Sequence, residues 1–175
     1  MVTIKVNFKR IQDVSFTEVI DSMGVYVLWG SLHKQKPTYI GQGDILKRIW
    51  DHVNKKGEWC GERRIAKPVN GYIAILGAGD KEKKQKKKLS VLLEALLFLV
   101  ANDINLPPKK NRQNGSRIEI QKILLKHRSI KASIKGYDPF ISPNGSRQIK
   151  SAKNIRVMSG ENGLVISHSW YSRQI

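Results

Sequence analysis

One segment of this chain, Lys86 to Asp103, is apolar on nearly every side when it is drawn as a helix. Its large apolar residues lie at all angles around the axis and are Leu89, Leu92, Leu93, Leu96, Leu97, Leu99 and Val100. A helix of this composition needs other elements around it to shield it from water. The sequence therefore predicts a central helix that is buried in the core of the fold.

Glu94 is the one charge near the middle of this segment. Burial of an unpaired carboxylate costs on the order of several kcal/mol, so its side chain requires a cation or a metal ion nearby. A structural ion pair with Arg48 and a metal-binding role both satisfy that requirement, and both interpretations stay open.

Two tripeptides near the start of the chain, Gly24–Tyr26 (Gly-Val-Tyr) and Tyr39–Gly41 (Tyr-Ile-Gly), lie in short apolar stretches. A polar connection from Gly30 to Pro37 separates the stretches, a pattern typical of a β-hairpin. Alternation in Val2 to Phe8 predicts an earlier strand, and Gly71 to Leu76 predicts a third strand for the same sheet. The tyrosines would then stand at defined points on a rigid sheet.

A helix is predicted directly after the hairpin. Asp44 offers an N-cap, and apolar residues from Ile45 onward mark one face of a helix that runs to about Asn54. Arg48 and His52 are four residues apart and share another face of this helix. An earlier short helix is predicted to begin near Ser15.

The chain carries a formal net charge of +18, from 32 Lys and Arg against 14 Asp and Glu. This charge favours a polyanionic partner, of which nucleic acid is the first candidate and an anionic membrane the second. The membrane interpretation is weaker, because the longest apolar run, Leu89 to Ala101, is too short to cross a bilayer. Since residues 1–10 do not resemble a secretory signal, we expect a cytoplasmic protein, associated with the nucleoid if it is bacterial.

The charge is concentrated toward the end of the chain. From Leu106 to Ile175 there are 14 Lys and Arg and three acidic residues, which gives +11 of the total. Within this region Ile118 to His127 predicts a short amphipathic helix, and Ile155 to Ser159 with Gly163 to Ser169 predicts a hairpin. We therefore expect this region to have structure of its own and to contact a polyanion.

The order of residues along the chain resembles that of the GIY-YIG nuclease family, because the tripeptides at 24–26 and 39–41 are followed by Arg48, His52, Glu94 and Asn111. The resemblance covers residues 24–111, the whole catalytic module of that family. Val25 replaces the isoleucine of the motif, which is a swap between β-branched residues. The turn before Arg48 is one residue shorter than in many relatives, so Lys47 is an alternative to Arg48 for the phosphate contact; the face shared with His52 favours Arg48.

The resemblance implies a role for each residue. Tyr26 would act as the general base or position the attacking water, and Tyr39 would line the site. Arg48 would bind the scissile phosphate, with His52 assisting on the same helix face. Glu94 would hold one divalent cation, Mg²⁺ or Mn²⁺. The residues that would support the site are Gly24, Gly41 and Asn111.

The resemblance also implies an α/β fold of the α+β type, with a small three-stranded antiparallel sheet flanked by helices. Residues 1–23 would form a lead-in strand and helix, residues 24–111 the nuclease module, and residues 112–175 a basic extension that binds DNA. Cations are unfavourable at a helix N-terminus, so the lysines that begin the Glu94 helix favour an anionic ligand. The basic residues expected to contact nucleic acid are Lys47, Lys84, Lys87, Lys109, Lys110, Arg112, Arg117 and Arg147.

The implied function is a metal-dependent endonuclease that acts on double-stranded DNA and has no membrane partner. A homodimer, or sequential nicking at one site, would allow both strands to be cut. The alternative is a non-catalytic nucleic-acid-binding protein of the ribonucleoprotein type, which would use the same basic surface. Convergence of Tyr26, Arg48 and Glu94 distinguishes the two, because binding alone does not require it.

Overall fold

The structure is a computed structural model and describes residues 1–30, 35–54, 70–78, 83–108, 116–161 and 163–170. The described part of the chain has an α+β fold, with one seven-stranded, mostly antiparallel sheet and four helices. The strands are β1 (Val2–Arg10), β2 (Ser22–Trp29), β3 (Tyr39–Asp44), β4 (Asn70–Ala78), β5 (Ser129–Gly136), β6 (Lys153–Gly160) and β7 (Gly163–His168). The helices are α1 (Phe16–Val19), α2 (Ile45–Asn54), α3 (Lys83–Asp103) and α4 (Ser116–Leu124), and short 3-10 helices lie at Ile11–Asp13 and Pro143–Gly145.

The predicted hairpins are confirmed. Strands β2 and β3 pair antiparallel, with Tyr26 opposite Gly41 and Leu28 opposite Tyr39. Strand β4 pairs with the other edge of β2, as predicted for the third strand. Strands β6 and β7 form the second predicted hairpin.

The sheet is larger than the predicted three strands. Its order is β3-β2-β4-β1-β5-β6-β7, so β1 lies in the middle of the sheet, antiparallel to β4 and parallel to β5. Strand β5 was not predicted, although Ile130, Ala132 and Ile134 alternate with polar residues as a half-buried strand requires. Both edges of β1 need partners, and β4 and β5, which follow much later in the chain, supply them.

Two apolar clusters hold helices on the two faces of the sheet. The larger cluster packs α3 and α4 against one face, through alternate residues such as Phe8, Val27 and Ile134. The smaller cluster, on the other face, packs α1 and α2 over β2 and β4 and includes Tyr26 and Ile73.

Helix α3 is buried on most sides between Leu92 and Ala101, as the leucine-rich segment predicted. Nine of its residues between Leu92 and Ala101 are less than 6% exposed, whereas Glu94 in the same stretch is only partly buried. None of the helices in the described ranges, α3 included, has the length and apolar content that crossing a membrane requires.

The segment after β5 packs against the first half of the chain. The Trp29 indole donates a hydrogen bond to the Pro139 carbonyl oxygen (3.2 Å), and the Tyr72 hydroxyl donates one to the Ile141 carbonyl oxygen (2.7 Å). The buried carboxylate of Asp138 accepts a hydrogen bond from the Trp170 indole (2.9 Å). The division at residues 23 and 111 stays a prediction, and strands from all three proposed parts lie in one sheet.

Candidate functional site

The glycines of the two tripeptides are required by close contacts. A Cβ atom at Gly24 would overlap the backbone carbonyl oxygen of Ala74 on β4. At Gly41 it would overlap the Tyr26 hydroxyl and the Tyr39 ring. Gly24 thus allows β2 and β4 to approach each other, and Gly41 provides the space in which the two tyrosines meet.

We expect Gly24→Ala to destabilise the fold by about 1–3 kcal/mol, because the backbone of β4 would have to move away from the new methyl group. The measurement is the free energy of unfolding in urea. Gly145→Ala is the matched control, since no atom lies within 4 Å of its added Cβ. Equal losses in the two variants would contradict the steric explanation.

Tyr26 and Tyr39 form a stacked pair. Their ring centroids are 5.9 Å apart and their planes differ by 14°. Tyr26 is 1% exposed and Tyr39 is partly buried, so the pair extends from the core toward the surface. Burial raises the pKa of Tyr26 well above its usual value, the Tyr39 hydroxyl acts in the same direction, and the Arg48 charge acts against them. The Tyr26 phenol is therefore protonated at neutral pH.

Helix α2 begins at the end of β3, as predicted. The Asp44 carboxylate accepts a hydrogen bond from the Lys47 backbone N–H (3.0 Å), which caps the helix. The Arg48 side chain is exposed and lies against Gly43, where Nε is 3.4 Å from the position of an added Cβ. Gly43 was not among the predicted site residues, although its spacing from Gly41 is a signal for a close backbone approach. Its positive φ of 130° adds a second reason for glycine there.

Glu94 reaches this region from α3. Burial raises the pKa of its carboxyl to about 7, and the Arg48 charge acts in the opposite direction. The Ser90 hydroxyl, one turn earlier on α3, donates a hydrogen bond to the Gln42 side chain (3.1 Å), which holds this part of α3 beside β3. Glu94 and Arg48 both act electrostatically on the Tyr26 hydroxyl. The Tyr26 hydroxyl on β2 therefore lies within electrostatic range of side chains from β3, α2 and α3.

The raised pKa of Glu94 predicts a pH dependence of stability in the absence of divalent cations. Below its usual pKa of 4.5 the carboxyl is protonated in both the folded and the unfolded chain. Between pH 4.5 and about 7 only the unfolded chain releases the proton, so the free energy of unfolding falls as the pH rises. Glu94→Gln removes this loss of stability, and we expect its free energy of unfolding to gain about 3 kcal/mol relative to the wild type between these pH values.

Urea unfolding in EDTA at several pH values measures this difference. Glu161→Gln, an exposed carboxylate in the β6–β7 turn, is the control and should parallel the wild type. A constant difference between the wild type and Glu94→Gln across the range would contradict the assignment of the titration to Glu94.

Several predicted residues lie wholly or partly outside the described part of the structure, and others are exposed basic residues. The α2 backbone includes His52 and the α4 backbone includes Arg117, but their side chains lie outside the described part of the structure. The predicted residues that lie outside the described ranges altogether are Lys109, Lys110, Asn111 and Arg112. The remaining predicted basic residues are all exposed and are Lys47, Lys84, Lys87 and Arg147.

A single carboxylate is the candidate metal ligand. Among the described residues, no group of three or more His, Cys, Asp and Glu side chains is placed to hold a metal ion. Mg²⁺ is commonly bound through one or two carboxylates and completes its coordination with water and substrate phosphates. A partly buried Glu94 within electrostatic range of Tyr26 and Arg48 fits that mode of binding.

A second concave feature lies further along α3. A groove of about 730 Å³ separates the first half of α3 from the end of α4, and we call it the α3–α4 groove. Sequence reasoning identified Lys84 and Lys87 on one wall but missed Lys122 and Lys126, whose spacing of four would place them on one face of the predicted helix that runs to His127. In the structure α4 ends at Leu124, and Lys126 lies in the turn that follows. The described lining of the groove consists of Lys84, Lys87, Lys88, Val91, Lys122, Ile123, Lys126 and His127.

Comparisons of the chain with protein-family models, with curated proteins and with solved structures give no match. The function is therefore inferred from the side chains and their arrangement.

Proposed function

We propose that this protein is a divalent-cation-dependent DNA endonuclease of the GIY-YIG type. The observation that carries the proposal is that Arg48 on α2 and Glu94 on α3 both lie within electrostatic range of the buried Tyr26 hydroxyl on β2. A protein that only binds nucleic acid has no need to bring a partly buried carboxylate to an arginine and a buried tyrosine. The antiparallel strands β3, β2 and β4 would be the three-stranded sheet of the family, with the other four strands added to it.

Each residue of the proposed site would have a separate role in the reaction. Arg48, exposed at the start of α2, would bind the non-bridging oxygens of the scissile phosphate and stabilise the charge that develops there. Tyr39, partly exposed beside Tyr26, would line the approach to that phosphate. The site would thus bind the substrate at the open end of the tyrosine pair.

Tyr26 would position the attacking water. Its raised pKa opposes formation of a phenolate, so the hydroxyl group would act as a hydrogen-bonding group and not as a free base. The phenol oxygen would accept a hydrogen bond from the water and orient it toward phosphorus. Of the two roles that the resemblance implied for Tyr26, the buried environment favours positioning.

Glu94 would hold Mg²⁺ or Mn²⁺. A cation bound there would stabilise the negative charge on the departing 3′ oxygen. The carboxylate must be ionised to bind it, and Arg48 favours that form by lowering the Glu94 pKa. Arg48 would therefore contact the phosphate directly and favour ionisation of the Glu94 carboxyl through its charge.

Incubation of the purified protein with supercoiled plasmid and Mg²⁺ tests the proposal, with EDTA in a parallel reaction. We expect cation-dependent nicks or linear fragments, and mapping of their ends distinguishes site-specific cutting from general nicking. Plasmid that stays intact while it is retarded on a gel would overturn the proposal and support the alternative of a non-catalytic nucleic-acid-binding protein.

A further inference from the structure

We propose that the α3–α4 groove binds the phosphate backbone of duplex DNA and guides it to Glu94. The groove itself is a feature of the described fold, while the destination of the DNA rests on the proposed function. The proposal assigns a binding role to Lys88, Lys122, Lys126 and His127 and makes α4 one wall of the substrate path.

The charge of the groove favours an anionic ligand. Five lysines line one concavity, three from α3, one from α4 and one, Lys126, from the turn after α4, and the described lining residues include no carboxylate. Lys84 lies in the first turn of α3, where the helix dipole is already positive and cations are unfavourable, and Lys87 and Lys88 follow in the second turn. Such a cluster carries an electrostatic cost in the free protein, and a bound polyanion relieves it.

The groove leads to the candidate site along α3. Lys87, Val91 and Glu94 lie on one face of the helix, because their spacings of four and three residues match its period. Val91 lines the groove, and Glu94 follows about 4.5 Å further along the helix axis. Lys87 precedes Glu94 by about 10.5 Å along that axis. A duplex has one phosphate charge about every 1.7 Å of its axis, so DNA that reaches Glu94 also presents phosphates to Lys87 and the other lysines of the groove.

The chemistry of the lining favours a backbone over a small nucleotide. The described lining offers lysine ammonium groups, one imidazole and two aliphatic side chains, Val91 and Ile123. It has no carboxylate, amide or hydroxyl side chain to hydrogen-bond a ribose or the edge of a base. Contacts of this kind supply affinity and orientation without reading sequence.

Point substitutions in the full chain test the groove, because removal of residues 112–175 would also remove β5 from the edge of β1. The groove variant carries Lys84→Gln, Lys87→Gln and Lys126→Gln, which neutralise both walls. The matched control carries Lys5→Gln, Lys135→Gln and Arg156→Gln, three exposed cations on the sheet face opposite α3. Each variant loses three charges, so a difference between them reports position and not net charge.

Fluorescence anisotropy with a labelled duplex in EDTA measures binding without cleavage, from about 50 to 200 mM salt. We expect the groove variant to bind at least about 10-fold more weakly and its log–log salt slope to fall in magnitude by about 2–3, with a smaller change in the control. Inorganic phosphate at matched ionic strength should not displace the duplex from the wild type. Equal losses in the two variants, or displacement by phosphate alone, would overturn the proposal.

The outcome is separable from that of the proposed function. Groove-dependent binding with no cleavage in Mg²⁺ would overturn the proposed nuclease function and support the DNA-binding groove. Cleavage by the wild type, together with unchanged binding by the groove variant, would overturn the DNA-binding role of the groove and support the nuclease function.

Discussion

Glu94→Gln is expected to reduce Mg²⁺-dependent cleavage by about 10²–10³-fold while it leaves the affinity for DNA nearly unchanged. The substitution keeps the shape of the side chain and removes the charge that would hold the cation. It also removes the cost of burying a carboxylate, which here raises the Glu94 pKa to about 7. The variant should therefore fold at least as stably as the wild type, so lost cleavage would not reflect lost structure.

Single-turnover cleavage of a labelled duplex and anisotropy in EDTA are the two measurements. Glu161→Gln, in the exposed β6–β7 turn, is the control for loss of one carboxylate and should cleave like the wild type. Full activity of Glu94→Gln would sink the assignment of Glu94 as the cation ligand, and the ion pair with Arg48 would become its better explanation.

Arg48→Ala is the second variant with a large expected effect, again about 10²–10³-fold on the cleavage rate at saturating DNA. It removes the group proposed to stabilise the phosphate. Arg48→Lys should recover only part of the rate, since an ammonium group cannot contact two oxygens through a planar fork. Because Arg48 lowers the Glu94 pKa, its loss should also move the titration of Glu94 to higher pH, which carboxyl NMR signals would report.

Lys47→Ala tests whether Lys47 or Arg48 contacts the scissile phosphate. Lys47 is exposed on the same helix, and we expect its loss to weaken DNA binding without changing the rate at saturation. A lower saturated rate in Lys47→Ala, with a normal rate in Arg48→Ala, would transfer the phosphate contact from Arg48 to Lys47.

Local chemistry made part of this structure predictable. The alternation in β1, the hairpin pattern of β2 and β3 and the capping Asp44 each depend on a few residues, and the strand β1, the β2–β3 pairing and the cap are found as predicted. The leucine-rich α3 was predictable because its apolar residues surround the axis. Glu94 stood out for the same reason, since a carboxylate is conspicuous in such a segment.

The remaining features depend on contacts between distant parts of the chain. The pattern of β5 signals a strand but not a partner, and nothing near Ser129 indicates that it lies beside β1. The α3–α4 groove likewise requires the tertiary arrangement that brings Lys126 to the start of α3. The high pKa of Tyr26 follows from burial, and a motif of three residues does not specify how deeply its tyrosine is buried.

The position of β1 in the middle of the sheet has a consequence for biosynthesis. Strand β1 leaves the ribosome before either of its neighbours, and β5 is translated only after most of the chain has emerged. Until then one edge of β1 has no strand to pair with, and such edges recruit other chains. We expect nascent or truncated chains that end before β5 to depend on chaperones and to aggregate when the protein is expressed at a high level.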